Sequence, residues 1–289
     1  MTKQEFAQLA AGGVILLDGA TGSNLTKAGM PKGISTELWT LEHAEVLIKL
    51  QQEYVAAGSQ IVYAPTFAAN RISLANFSMS DRVEELNTRL VDISRKAVDG
   101  RALVAGDITT TGKMMEPKGE LVYEELLDAY KEQITALANA GVDLLVAETM
   151  LCVDEMMVAL DAAQSVCDLP MMLTMTVEAD GSAFFGGNAI EAVENLQEMG
   201  ADAVGINCSL GPDQMEAVVA SMKRIAHIPV IAKPNAGMPV IDNQGNAIYS
   251  MEPEAYGRYM KVLVDAGAGI IGGCCGTDPS YIKKLKEWI

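Results

Sequence analysis

The sequence predicts an α/β chain of the (β/α)8 TIM-barrel class, with residues 1–289 forming one barrel domain. Three observations point there. The length of 289 residues suits one such barrel. Eight short aliphatic runs alternate with eight longer stretches of helical periodicity. The runs are apolar throughout rather than alternating, as expected of parallel strands covered on both faces. A doubly wound open sheet is the alternative, and eight even units favour the closed barrel.

Taken in order, the strand runs are Val14–Asp18, Gln60–Ala64, Ala102–Asp107, Leu144–Glu148, Met171–Thr176, Ala203–Asn207, Pro229–Lys233 and Gly269–Gly273. Each is rich in Val, Ile, Leu or Met and too short for a helix. Between them lie the amphipathic segments Ala44–Ala57, Arg82–Val98, Tyr123–Ala140, Val153–Val166, Ile190–Met199, Pro212–Ile225 and Pro253–Ala266, and Pro279–Trp288 follows the last strand. Several segments stop at an apolar residue followed by glycine, as at Ala57-Gly58 and Ala266-Gly267. Glycine there suits a helix C-terminus.

The barrel predicts where chemistry gathers, because catalytic groups of this fold sit where strands lead into the βα loops. Reading off those ends gives Asp18, Pro65-Thr66-Phe67, Asp107, Glu148, Thr176, Cys208, Asn235 and the adjacent pair Cys274-Cys275. Carboxylates, thiols and an amide are thus expected at one rim. Consecutive side chains of an extended strand point to opposite faces. Cys274 and Cys275 therefore reach one target only if the chain turns, and Gly272, Gly273 and Gly276 permit that turn.

Three thiols from the sixth and eighth strands suggest a soft metal ion, expected to be Zn2+. Three ligands leave a fourth tetrahedral position open, the pattern of a catalytic site, and a coordinating thiol is deprotonated outright. An all-sulfur site of this kind suits the activation of a substrate thiol. The two histidines, His43 and His227, fall in or at the ends of helical segments and read as packing or surface residues. Cys152 and Cys167 read as small hydrophobes.

Composition narrows the class further. Hydrophobic residues make up 49% of the chain, enough for a large aliphatic core. The formal charge of −17, from 21 basic and 38 acidic residues, argues against nucleic acid or an anionic membrane as partner. No apolar stretch reaches membrane-spanning length. Five cysteines without a recognisable signal peptide fit a reducing, cytoplasmic setting.

Seven motifs, in order, carry a resemblance. They are Asp18-Gly19-Ala20-Thr21-Gly22, Thr66-Phe67, Gly106-Asp107-Ile108, Ala147-Glu148-Thr149, Gly205-Ile206-Asn207-Cys208-Ser209-Leu210-Gly211-Pro212, Lys233-Pro234-Asn235-Ala236-Gly237 and Gly272-Gly273-Cys274-Cys275-Gly276-Thr277. Together they resemble the homocysteine S-methyltransferase family, and within it the homocysteine-binding barrel of cobalamin-dependent methionine synthase. The resemblance runs over essentially the whole chain, and the paired cysteines with the upstream Asn-Cys-Ser are its most specific part. It implies that Cys208, Cys274 and Cys275 bind zinc and that homocysteine adds its sulfur as the fourth ligand. Asn235 is similar to a residue that fills the fourth position when substrate is absent; the alternative is a loop residue bonded to its own backbone. Asp18 and Glu148 match positions that hold the substrate ammonium, and a carboxylate capping a helix is the alternative for each. The backbone N–H groups of Gly19, Ala20 and Thr21 are expected to hold the substrate carboxylate.

The expected reaction is in-line methyl transfer to the homocysteine sulfur, giving methionine. The donor half of the site departs from the family pattern. Pro65 stands where Asn usually precedes Thr-Phe, and Thr109-Thr110 replace a usual Gly-Pro. The folate, cobalamin and reactivation modules of methionine synthases are not expected in this chain. The donor is therefore expected to be methylcobalamin or a methylated corrinoid on a separate protein, with S-methylmethionine or a betaine-like molecule as the alternative. Two rival classes remain at this stage: an aldolase with Lys233 as Schiff-base lysine, and a non-catalytic zinc- or thiol-binding subunit.

Overall fold

A computed structural model describes residues 1–243 and 247–289. The aliphatic runs form the strands β1 (Ile15–Leu16), β2 (Ile61–Tyr63), β3 (Leu103–Ile108), β4 (Leu144–Met150), β5 (Met171–Met175), β6 (Ala203–Asn207), β7 (Val230–Lys233) and β8 (Ala268–Ile271). They pair in parallel, in the spatial order β1-β8-β7-β6-β5-β4-β3-β2. A parallel bridge between Leu17 and Ile61 joins the two ends and closes the barrel.

Side-chain alternation divides each strand between two cores. Ile15, Leu17, Ile61, Tyr63, Leu144, Val146, Met172, Ile231 and Ile270 fill the barrel interior. Their neighbours Leu16, Val62, Leu145, Leu173, Val204, Ala232 and Ile271 point outward beneath the helices. Burial of both faces is why the runs lack a polar alternation in sequence. The outer ring consists of α2 (Ala44–Ala57), α3 (Val83–Val98), α4 (Tyr123–Asn139), α5 (Val153–Val166), α6 (Ala189–Glu198), α7 (Glu216–Ile225), α8 (Pro253–Asp265) and α9 (Pro279–Trp288), following α1 (Lys3–Ala11). The segment expected as one helix from Pro212 is a 3-10 turn at Pro212–Gln214 and then α7.

Helix α1 lies outside the eight-fold alternation. Thr2 and Glu5 form a reciprocal capping box at its start. Its Phe6 is 1% exposed and joins the cluster that fills the barrel interior. The Met1 ammonium donates to the Asp143 carbonyl at 2.9 Å, just before β4. The helix therefore plugs the pole where the strands begin and leaves the opposite pole open. That open pole carries the longer loops, including a small antiparallel hairpin of Val240–Ile241 with Ala247–Ile248. Among the described residues, no helix is long and apolar enough to cross a membrane.

Candidate active site

The three sulfurs converge. Cys208 follows β6 directly, and Cys274 and Cys275 follow the Gly272-Gly273 end of β8. Their Sγ atoms all lie within 4.8 Å of one another, with Cys208 and Cys275 at 4.0 Å. Backbone bonds hold both turns. The Cys208 N–H donates to the Lys233 carbonyl at 3.1 Å, and the Cys274 N–H donates to the Pro234 carbonyl at 2.7 Å. Cys208 itself adopts φ +60°, a costly value for a side chain other than glycine, so the pairing of β6 with β7 over-determines it. Gly276, at φ +84°, completes the second turn.

The donor set fits a tetrahedral soft cation. Sulfurs about 2.3 Å from such an ion stand roughly 3.8 Å from one another, close to the observed Cys208–Cys275 separation. Hydrogen bonds from Cys208 and Cys274 hold the Cys275 thiol down at about 3, with a further bond from the Tyr249 hydroxyl. The Cys208 thiol, bonded to Cys274 and Cys275, is driven far up in turn. A divalent ion bound here would release the thiol protons of the cluster. Cys152 and Cys167 lie outside the cluster and are only half-buried. His43 stacks on Trp39 with ring centroids 4.1 Å apart, and His227 is exposed, so both histidines are packing or surface residues.

The sulfurs open into a cavity of about 310 Å³, also lined by Asp18, Gly19, Ala20, Thr21, Asp107, Glu148 and Lys233. Asp18 is not a helix cap. Its Oδ2 accepts from the Tyr63 N–H at 2.8 Å, tying β1 to β2, while the following helix Gly22–Lys27 has no side-chain cap. Glu148 lies within β4; Asn207 Nδ2 stands 3.5 Å from its Oε2 and also donates to Thr149 at 2.8 Å. The Asn235 side-chain oxygen is buried and accepts no hydrogen bond, so it makes no bond to its own backbone. In the Gly19-Ala20-Thr21 turn, the Ala20 N–H donates to the Thr277 hydroxyl at 3.1 Å, so this amide of the expected carboxylate cradle is already engaged.

Charge is concentrated here. Burial pushes Asp18 up to about 7, against the pull of Lys233. Glu148 is raised to about 7 by the same balance. Asp107 rises well above the carboxylate range through burial and then through Glu148, and its Oδ1 is buried without a hydrogen-bond partner. Burial opposes the charge on Lys233, but Glu148 and Asp18 outweigh it and hold the ammonium protonated. Lys233 is thus the ion-paired lysine and not a free amine poised for Schiff-base chemistry. Tyr249, whose hydroxyl bonds Cys275, is not among the residues singled out from the sequence. Asp107 and Lys233 occupy strand ends, where the fold places function. Tyr249 arrives from the long loop after β7, and nothing in its sequence context marks it.

The chain is 28% identical over 294 residues to methionine synthase of Mycobacterium leprae (strain TN), covering 94% of this chain and 24% of that protein. It is 27% identical over 290 residues to methionine synthase of Mycobacterium tuberculosis (strain ATCC 25618 / H37Rv), with the same coverage. The chain thus spans about a quarter of the length of these curated relatives. In fold it is similar to the homocysteine methyltransferase MmuM from Escherichia coli in its metallated form. That match has a TM-score of 0.82 and 22% identity, over 97% of this chain and 98% of that one. The model of the family described as homocysteine S-methyltransferase matches residues 15–289, from the first barrel strand through the paired cysteines to the last helix, and the chain belongs to that family.

Proposed function

We propose that this barrel transfers a methyl group to the thiol of homocysteine, giving methionine, with a zinc ion held by Cys208, Cys274 and Cys275. One observation carries the reading above the rest: three sulfurs from two strands meet at the rim of a cavity that also holds Asp18 and Glu148. The site thus offers sulfur ligands at one place and carboxylates at another, matching the thiol and the ammonium of one amino acid. When bound, zinc would supply an ionised sulfur nucleophile at neutral pH without a general base.

The chain's own residues do the rest. Asp18 and Glu148 take the substrate ammonium through charge-assisted hydrogen bonds. The turn at Gly19, Ala20 and Thr21 receives the substrate carboxylate, with Ala20 braced on Thr277. Asn235, whose buried oxygen lacks a partner, is the reserve ligand in the absence of substrate. Cys208 and Cys275 remain partly exposed, which leaves the site open to a donor.

The donor is a methylated corrinoid, a reading supported by the similarity to the two methionine synthases. The experiment is direct. Zinc-loaded protein is incubated with homocysteine and, in separate arms, methylcobalamin, a methylated corrinoid protein, S-methylmethionine or betaine, and methionine is measured. Methionine from either corrinoid arm supports the proposal. Methionine only from a sulfonium or betaine arm transfers the reading to a small-molecule donor, and none from any arm makes the chain a binding subunit.

A further inference from the structure

Among the described residues, Lys233 is the one cationic side chain lining the cavity, and it stands between the carboxylates of Asp18 and Glu148. It ends β7 with only 4% of its side chain exposed, and its Nζ sits 3.5 Å from Glu148 Oε2 and 3.7 Å from Asp18 Oδ1. The Tyr63 ring lies beneath it, with Nζ 4.6 Å from the ring centroid. Both contacts are longer than a tight charge-assisted bond, about 2.7–2.9 Å. The lysine therefore neutralises the carboxylates without consuming their lone pairs. Asp18 Oδ1 has no hydrogen-bond partner, and neither has Asp107 Oδ1.

Two buried carboxylates brought together repel and swing apart unless a cation stands between them. We propose that Lys233 is a positioning residue for amine recognition: its fixed ammonium bridges Asp18 and Glu148 and holds them aimed at a second, incoming ammonium. This rests on the reading that these two carboxylates receive the amino group of the acceptor. The lysine thereby sets the preference for an amino-acid thiol over a plain mercapto acid. Its ammonium is directed at the carboxylates, and its main-chain carbonyl accepts from the Cys208 N–H.

The test compares two thiols that differ only in the amino group, homocysteine and 4-mercaptobutyrate, by calorimetry on the zinc-loaded protein. The wild type is expected to prefer homocysteine by roughly tenfold or more, the worth of a charge-assisted pair. Lys233→Met is expected to collapse that ratio toward one by weakening homocysteine alone, with zinc content unchanged and 4-mercaptobutyrate binding as before. Lys233→Arg, which keeps the charge, is expected to restore most of the preference; it also serves as the readout if the methionine variant does not fold. A merely structural lysine would weaken both thiols together. Tighter homocysteine binding by Lys233→Met, or an unchanged ratio, overturns the proposal and makes the lysine a competitor or a bystander. A wild type that binds both thiols equally instead sinks the amine-recognition reading itself.

Discussion

At the scale of single residues, the proposed function divides two tasks between two kinds of side chain. On that proposal the cysteines hold the metal, so replacing Cys208, Cys274 or Cys275 with Ser removes a soft ligand from a three-ligand set. Each variant is expected to lose zinc and turnover together, read by metal analysis beside the methionine assay. On the same proposal Glu148 serves the substrate instead. Glu148→Gln is expected to weaken homocysteine binding by roughly ten- to a hundredfold while zinc stays near one per chain. If that variant also lost its zinc, the division of roles would fail. The buried carboxylates also set a pH dependence. Asp18 and Glu148 sit at about 7 in the fold, above their ordinary values near 4. Between those limits each of these two carboxyls binds more protons in the folded state than in the unfolded one, so its contribution to stability falls as pH rises. The metal-free protein is expected to show a lower urea midpoint at pH 8 than at pH 5. Asp18→Asn is expected to flatten that slope.

At the scale of elements, the site depends on turns that few residues can make. Gly276 follows the paired cysteines at φ +84°, and a Cβ there would stand 2.4 Å from the Tyr249 ring. Gly276→Ala therefore strains the backbone and pushes away the tyrosine that bonds Cys275. A loss of about 1–3 kcal/mol is expected, together with faster release of zinc to a chelator. Unchanged zinc release in a destabilised variant would mean the turn matters to folding but not to the metal. Loop positions show the limits of periodicity. The βα segments around Gly22–Lys27, Thr36–Glu42 and Arg71–Leu74 contain helical turns too short for a repeating apolar face to reveal. The hairpin after β7 consists of two two-residue strands whose side chains are exposed. A half-buried alternation had no way to form there.

At the scale of the whole molecule, the barrel has a sealed pole and an open one. Phe6 seals the first by entering the interior cluster from α1. Phe6→Ala is expected to cost about 3–5 kcal/mol, seen in denaturant unfolding, and to leave zinc stoichiometry unaltered because the cavity lies at the other pole. A matching loss of zinc would show that the two poles are coupled through the packed interior.

Much of this organisation is legible in the sequence. Eight aliphatic runs imply parallel strands buried on both faces, and their even spacing implies closure. Strand ends then name Asp18, Glu148 and the three cysteines as neighbours at one rim. These inferences survive because each depends on covalent order and on a periodicity that local chemistry enforces. Other features depended on partners far apart in the chain. No local pattern reveals that Asp18 braces β2 instead of capping a helix, that Thr277 occupies the Ala20 amide, or that Lys233 stands between Asp18 and Glu148. Those outcomes were decided by tertiary structure. A buried charge takes whichever counter-charge the closed barrel brings within reach, and that distance is a property of closure, not of sequence.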